Sequence, residues 1–279
     1  MKRKPLAVVA VVVLLGALGV FAVTSSFDGG LKLPSLGPEC TVRADGEVTL
    51  DAVQMANAAT ISAVGMRREM SERAIVVALA TAFQESKLEN LDDGDRDSVG
   101  LFQQRPSKGW GTVEQIKDPR YAANRFYSAL KRVKGWKKMR VTDAAQKVQR
   151  SAYPNAYEKW ADEAEVLVRA LTGQATGAVE CSVDDDPALR GPAAAQALAR
   201  AFALDWDVEA DRLADLTVSV KDVNSGWRYA HWLVAHAEST GLERVRFADR
   251  EWSAPDGKWQ PVTGDRRIGN HEVAVEVFR

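Results

Sequence analysis

Glu85 and the stretch that follows it hold the residue types and spacing in this chain that could do chemistry. Glu85 comes after Ala78, Leu79, Ala82 and Phe83, at the end of an apolar run with helical spacing. Burial among apolar side chains disfavours a charged carboxyl group, and so does the negative end of a helix. Both effects suit a general acid that must keep its proton near neutral pH. A lone glutamate at a helix end is ordinarily a solvated surface residue, so the case rests on its company. Asp92, Asp93, Asp95 and Asp97 come next, and then Ser98-Val99-Gly100-Leu101-Phe102-Gln103-Gln104.

The acidic residues invite a metal reading. Asp93-x-Asp95-x-Asp97 begins like a calcium loop, but its sixth position is Ser98 rather than Gly and its twelfth is Gln104 rather than Glu. A hydrogen-bonded acidic turn that shapes a cleft is the better reading. Trp110 lies between Gly109 and Gly111, where an indole could stack on the C–H face of a sugar or could plug the core.

Helices must position these groups. Val53, Ala56, Ile61 and Val64 give helical spacing over Leu50–Val64, and Ser71 with Glu72 marks the start of the helix that carries Glu85. Further helices are expected over Pro119–Val133, Val141–Ser151 and Ala156–Leu171, with little sheet. The segment 182–192 holds Asp184-Asp185-Asp186-Pro187 and Gly191-Pro192 and reads as a linker. Beyond it the pattern becomes α+β. Helices are expected over Pro192–Ala203 and Trp227–Glu238. Strands are expected at Leu216, Val218 and Val220, at Val245–Phe247, and at Val273, Val275 and Val277.

Lys2, Arg3 and Lys4 precede an uncharged run from Leu6 to Val23, long enough to cross a bilayer. Residues 1–26 therefore read as a membrane anchor with the bulk of the chain outside the cell. A cleaved signal ending near Val20-Phe21-Ala22 is the rival. Either reading implies export, and residues 27–39 then form a tether. Cys40 and Cys181 bracket the helical region and should pair in an oxidising compartment, contributing about 4–5 kcal/mol by the chain-entropy argument. Hydrophobic content of 46% describes a globular chain, and a net charge of -1 gives no sign of nucleic-acid binding.

Glu85-Ser86 and the Ser98–Gln103 segment together resemble the lysozyme-like lytic transglycosylases. There Glu-Ser ends a helix and a Ser-x-Gly-Leu-Met-Gln segment follows; here Phe102 stands in the Met place. The string GDRDSVGLFQQRPSKGWGT is similar to a variant found in secreted and membrane-tethered actinobacterial proteins. The resemblance covers residues 40–181. It implies a mainly α lysozyme-like domain, Glu85 as catalytic acid and base, and no cofactor. It also implies substrate contacts from Ser98, Gly100, Phe102, Gln103, Gln104 and Trp110. Ala152-Tyr153-Pro154-Asn155-Ala156-Tyr157 resembles the family's Ala-Tyr-Asn-Ala-Gly region, in which a tyrosine faces the acid. Pro154 departs from that pattern, so Tyr153 and Tyr157 both stay open for the role.

Residues 193–279 resemble an M15-like D-alanyl-D-alanine carboxypeptidase fold. Its metal motif is reduced here to His271 in Asn270-His271-Glu272, and no counterparts of the upstream ligands are found. His231 and His236 stand five apart on one helix and so face different ways. A smaller α+β domain without metal is expected.

The activity implied is cleavage of peptidoglycan strands between N-acetylmuramic acid and N-acetylglucosamine, with a 1,6-anhydro product. One carboxylate suffices when the nucleophile belongs to the substrate, whereas hydrolysis ordinarily needs a second. A muramidase using Asp95 or Asp97, and a non-catalytic wall-binding scaffold, are the alternatives.

Overall fold

The computed structural model describes residues 37–151, 155–213, 215–264 and 267–279. The anchor expected over residues 1–26 and the side chain of Tyr153 lie outside the described residues. Among the described residues no helix is long and apolar enough to cross a membrane.

The chain from Gly37 onward forms one compact unit. It is mainly helical with two small antiparallel sheets. Strands β1 (Glu39–Arg43) and β2 (Glu47–Asp51) form a hairpin, and β3 (Val179–Cys181) pairs with the other edge of β1. Cys40 and Cys181 stand directly opposite each other in that pairing and are joined by a disulfide. The bridge therefore closes the helical region at the sheet where it begins and ends. This hairpin is a departure from the expected helix start at Leu50. Val42, Val48 and Leu50 alternate with polar residues and are buried, the period of a half-buried strand. Asp51 ends β2 and caps the following helix through a reciprocal pair with Gln54.

Helices α1 (Ala52–Arg67), α2 (Glu72–Ser86), α3 (Val113–Ile116), α4 (Pro119–Arg132), α5 (Val141–Gln149) and α6 (Ala161–Leu171) follow. Almost every residue of α2 from Ala74 to Phe83 is buried, so it is the central helix of this half. That burial explains its composition: Ala, Val and Ile on all sides leave room for α1, α4, α5 and α6 to close around it.

Residues 182–190 have no helix or strand and lead into α7 (Gly191–Trp206), β4 (Thr217–Ser219), α8 (Val223–Ala235) and α9 (Ala237–Thr240). Strands β5 (Leu242–Ala248), β6 (Arg250–Ser253), β7 (Lys258–Pro261) and β8 (Gly269–Val277) complete a five-stranded sheet in the order β4-β8-β5-β6-β7. Helix α8 lies across β5 and β8. A Cβ on its Gly226 would stand 1.9 Å from the Phe247 ring, so only glycine lets the helix come this close to the sheet.

The two halves share buried polar contacts. Asp205, on α7, is fully buried. It accepts hydrogen bonds from the Thr60 hydroxyl of α1 at 2.7 Å and from Trp232 Nε1 of α8 at 2.9 Å. Arg120 Nε of α4 lies 2.6 Å from its other oxygen, a charge contact without hydrogen-bond alignment. His231 is also fully buried. Its Nε2 accepts the Ala178 N–H at 2.9 Å, which leaves the proton on Nδ1 to donate to the Ala170 carbonyl at 2.7 Å. Trp259 Nε1 donates to the Val179 carbonyl at 2.8 Å beside it.

Two predictions follow from this seam. Asp205→Ala leaves the Thr60 hydroxyl, Trp232 Nε1 and the buried Nε of Arg120 without their shared acceptor and should lower stability by about 1–3 kcal/mol, read as a fall in the denaturant midpoint. Burial holds His231 down to about 4 from 6.5. The unfolded chain therefore takes up protons that the folded one refuses. The stability this confers is complete above pH 6.5 and is lost as pH falls toward 4, about 3 kcal/mol in all. Urea unfolding at pH 7 and pH 5 should show the loss, and His231→Gln should flatten it.

Candidate active site

Helix α2 ends in a turn that aims Glu85. Lys87 takes the left-handed conformation (φ 58°) and Leu88 does the same (φ 64°), and their N–H groups return to the carbonyls of Phe83 and Ala82. Left-handed backbone costs a non-glycine residue about 1–2 kcal/mol, and burying Leu88 completely offsets it. Ser86 is buried at this end, and its hydroxyl reaches the Leu101 carbonyl at 2.8 Å. The serine after the glutamate thus fastens the helix end to the Gly-Leu-Phe-Gln segment.

That segment is a tight turn. Val99 and Gln104 exchange backbone hydrogen bonds across it, and Gly100 N–H donates to the Leu91 carbonyl at 2.8 Å. Gly100 has φ 77°, and a Cβ there would stand 2.8 Å from the Ile116 carbonyl, which excludes any other residue without displacement. Phe102 points inward, fully buried, and stacks on Phe126 with ring centroids 4.8 Å apart. Gln104 is buried too and donates to the Ala122 carbonyl at 3.1 Å. Ser98 is likewise buried. These three side chains, expected as substrate contacts, are turned inward beneath the turn. An apolar ring fits the Phe102 position because the turn sits directly on α4.

Gln103 and Trp110, both half-buried, line one cavity of roughly 720 Å³. Tyr121 and Arg125 donate to the Trp110 carbonyl, each at 3.1 Å, and so hold its loop in place. Glu85 does not line this cavity.

Tyr157 meets Glu85. Its hydroxyl donates to Glu85 Oε1 at 2.7 Å, while the ring is fully buried and the carboxylate half-exposed. Burial, and then the charge of Glu85 itself, push the phenol well above its usual range, so it stays a neutral donor. Sequence reasoning missed the residue one helical turn further on. Trp160 stacks on Phe83 at 5.1 Å and donates from Nε1 to Gln84 Oε1 at 3.1 Å. Lys87 Nζ lies 4.1 Å from the ring centroid. Burial and the nearby Lys159 hold the Lys87 ammonium below its usual value. The signal was present as Tyr157-x-x-Trp160, an i, i+3 aromatic pair beside the α2 terminus.

The acidic turn is a structural clasp. Asp97 accepts the Ser107 N–H at 2.8 Å on one oxygen and Arg105 Nε at 2.7 Å on the other. The hydrogen bonds from Ser107, and then that from Arg105, hold its carboxyl well below the usual carboxylate range. Asp92 pairs with Lys117, and Asp95 is exposed beside Arg96. Among the described residues no three His, Cys, Asp or Glu side chains converge to hold a metal ion. His236 is buried, with Nδ1 against the Trp232 carbonyl at 2.9 Å, and His271 is exposed on β8. Burial holds the His236 imidazole below its usual range.

No family model matches the chain, and no curated protein sequence matches it.

The Ser86 bond generates a test of how the site is held. Ser86→Ala leaves the Leu101 carbonyl without this donor and should cost about 1–3 kcal/mol of stability. Chemical denaturation reads the cost, and an unchanged midpoint would show that the turn does not depend on α2.

Proposed function

We propose that this chain is a lytic transglycosylase that cleaves the β-1,4 bond between N-acetylmuramic acid and N-acetylglucosamine in peptidoglycan, outside the membrane. The observation that carries the reading is the Tyr157–Glu85 hydrogen bond at the end of a buried helix, set against the Ser86-fastened turn. Glu85 gives its proton to the glycosidic oxygen as the bond from C1 breaks. The carboxylate left behind is steadied by the Tyr157 hydroxyl, which remains neutral. Glu85 then takes the proton of the muramoyl 6-hydroxyl as that oxygen bonds to C1, closing the anhydro ring and restoring the acid. Water is not consumed.

Asp97 argues for this route over hydrolysis, because both its oxygens are occupied by Arg105 and Ser107. The C-terminal half supports the helical half through the Asp205 and His231 contacts, and the reading gives it no metal chemistry. Gln103 and Trp110 are the contacts it assigns to the glycan strand.

The test uses purified wall and the full chain. Glu85→Gln should abolish release of soluble fragments, and Tyr157→Phe should slow it by about 10²-fold. The fragments should lack a reducing end and weigh one water less than hydrolytic products. Undiminished release by Glu85→Gln would sink the assignment, and reducing-end products would turn it to a muramidase.

A further inference from the structure

The cavity that holds Gln103 and Trp110 has walls of one sign. Arg96, Arg105 and Lys108 come from the acidic turn and the loop after it. Arg125 and Arg132 come from α4, and Lys147 and Arg150 from the end of α5. Among the described residues no Asp or Glu lines it. Composition does not account for this, since the chain has 37 basic and 38 acidic residues.

Part of the charge has a structural use. Arg105 is held by Asp97, Arg125 by the backbone of Gly109 and Trp110, and Arg96 lies 3.9 Å from Asp95. The rest is unspent: Lys108, Arg132, Lys147 and Arg150 are exposed and form no ion pair among the described residues. Arg132 lies in the last turn of α4 and Arg150 caps α5, where positive charge suits the helix dipole. That explains a cation at each place but not their convergence with Lys108 and Lys147 on one volume. Like charges around a shared cavity repel one another, and an anion of matching valence removes the repulsion.

We propose that this pocket binds an oligoanionic group, one that presents several phosphate or carboxylate charges together. A single carboxylate would neutralise one of the free cations and leave the others facing each other. Guanidinium groups pair in bidentate fashion with either kind of oxyanion, and Trp110 offers an apolar face to the carbon skeleton between the charges. The pocket and Glu85 share one short turn: Gln103 lines the cavity, while the Leu101 carbonyl receives Ser86 next to the acid. On the glycan-cleavage reading, on which this role rests, the pocket selects strands that carry an anionic appendage. The appendage is a phosphodiester polymer or a carboxylate-bearing peptide stem.

Calorimetric titration of the full chain distinguishes the two sources. The probes are a glycerol-phosphate oligomer, an N-acetylmuramoyl tripeptide and inorganic phosphate. One of the two oligoanions should bind more tightly than inorganic phosphate and lose affinity as salt is added, and the one that does identifies the source. Arg132→Gln, Lys147→Gln and Arg150→Gln combined should weaken it by about tenfold. These side chains are exposed, and the salt dependence of the unmutated chain gives a second reading that needs no variant. Binding of neither oligoanion, affinity no better than for inorganic phosphate, or full affinity in the triple variant would overturn the proposal. Wall digestion measured in parallel separates it from the preceding one. Glu85-dependent digestion without oligoanion binding removes only the pocket's role, and oligoanion binding without digestion removes only the lyase.

Discussion

A fully buried carboxylate, Asp205, ties the two halves of this molecule into one body. It gathers Thr60, Arg120 and Trp232 from three different helices, with His236 Nε2 3.6 Å away. A buried charge is tolerated only where partners converge on it, so each of these helices is held in register by the need to keep it satisfied. Helices α1 and α4 therefore cannot shift against α7 and α8 without exposing the charge. The same α1 and α4 wall in α2, whose end presents Glu85. A contact far from the acid thereby fixes the frame in which the acid sits.

Around Glu85 the positioning is layered. The α2 terminus is turned by Lys87 and Leu88, fastened by Ser86 and flanked by the Phe83–Trp160 stack. Tyr157 arrives from the segment between α5 and α6 and meets the carboxylate from the other side. The acidic residues that follow in sequence are spent elsewhere: Asp97 clasps Arg105 and Ser107, and Asp92 pairs with Lys117. On the proposed reading, carboxylate chemistry is thus left to Glu85, while cations gather in the neighbouring cavity.

Much of the helical half was legible because its periodicity is long and its caps are explicit. Helix α4 begins at Pro119 after Asp118, which caps it, and α2 begins after Ser71, although the Ser71 side chain makes no capping bond. The short hairpin β1–β2 was not read, since five-residue strands leave little periodic signal and the second partner of β1, strand β3, stands 137 residues or more away. The C-terminal strands were legible at Val245–Phe247 and Val273–Val277 because one face alternates between buried and exposed.

By itself the sequence determined the secondary elements with strong apolar periods, the pairing of its two cysteines and the singling out of Glu85. Each depends on local composition or on a residue type that has no competitor in the chain. Only the tertiary structure decided that Phe102, Gln104 and Ser98 face inward, that Tyr157 reaches Glu85, and that seven cations share a cavity. Those facts depend on which face of a turn or helix meets a neighbour. That choice is made by packing between segments tens of residues apart, which no single window of sequence contains.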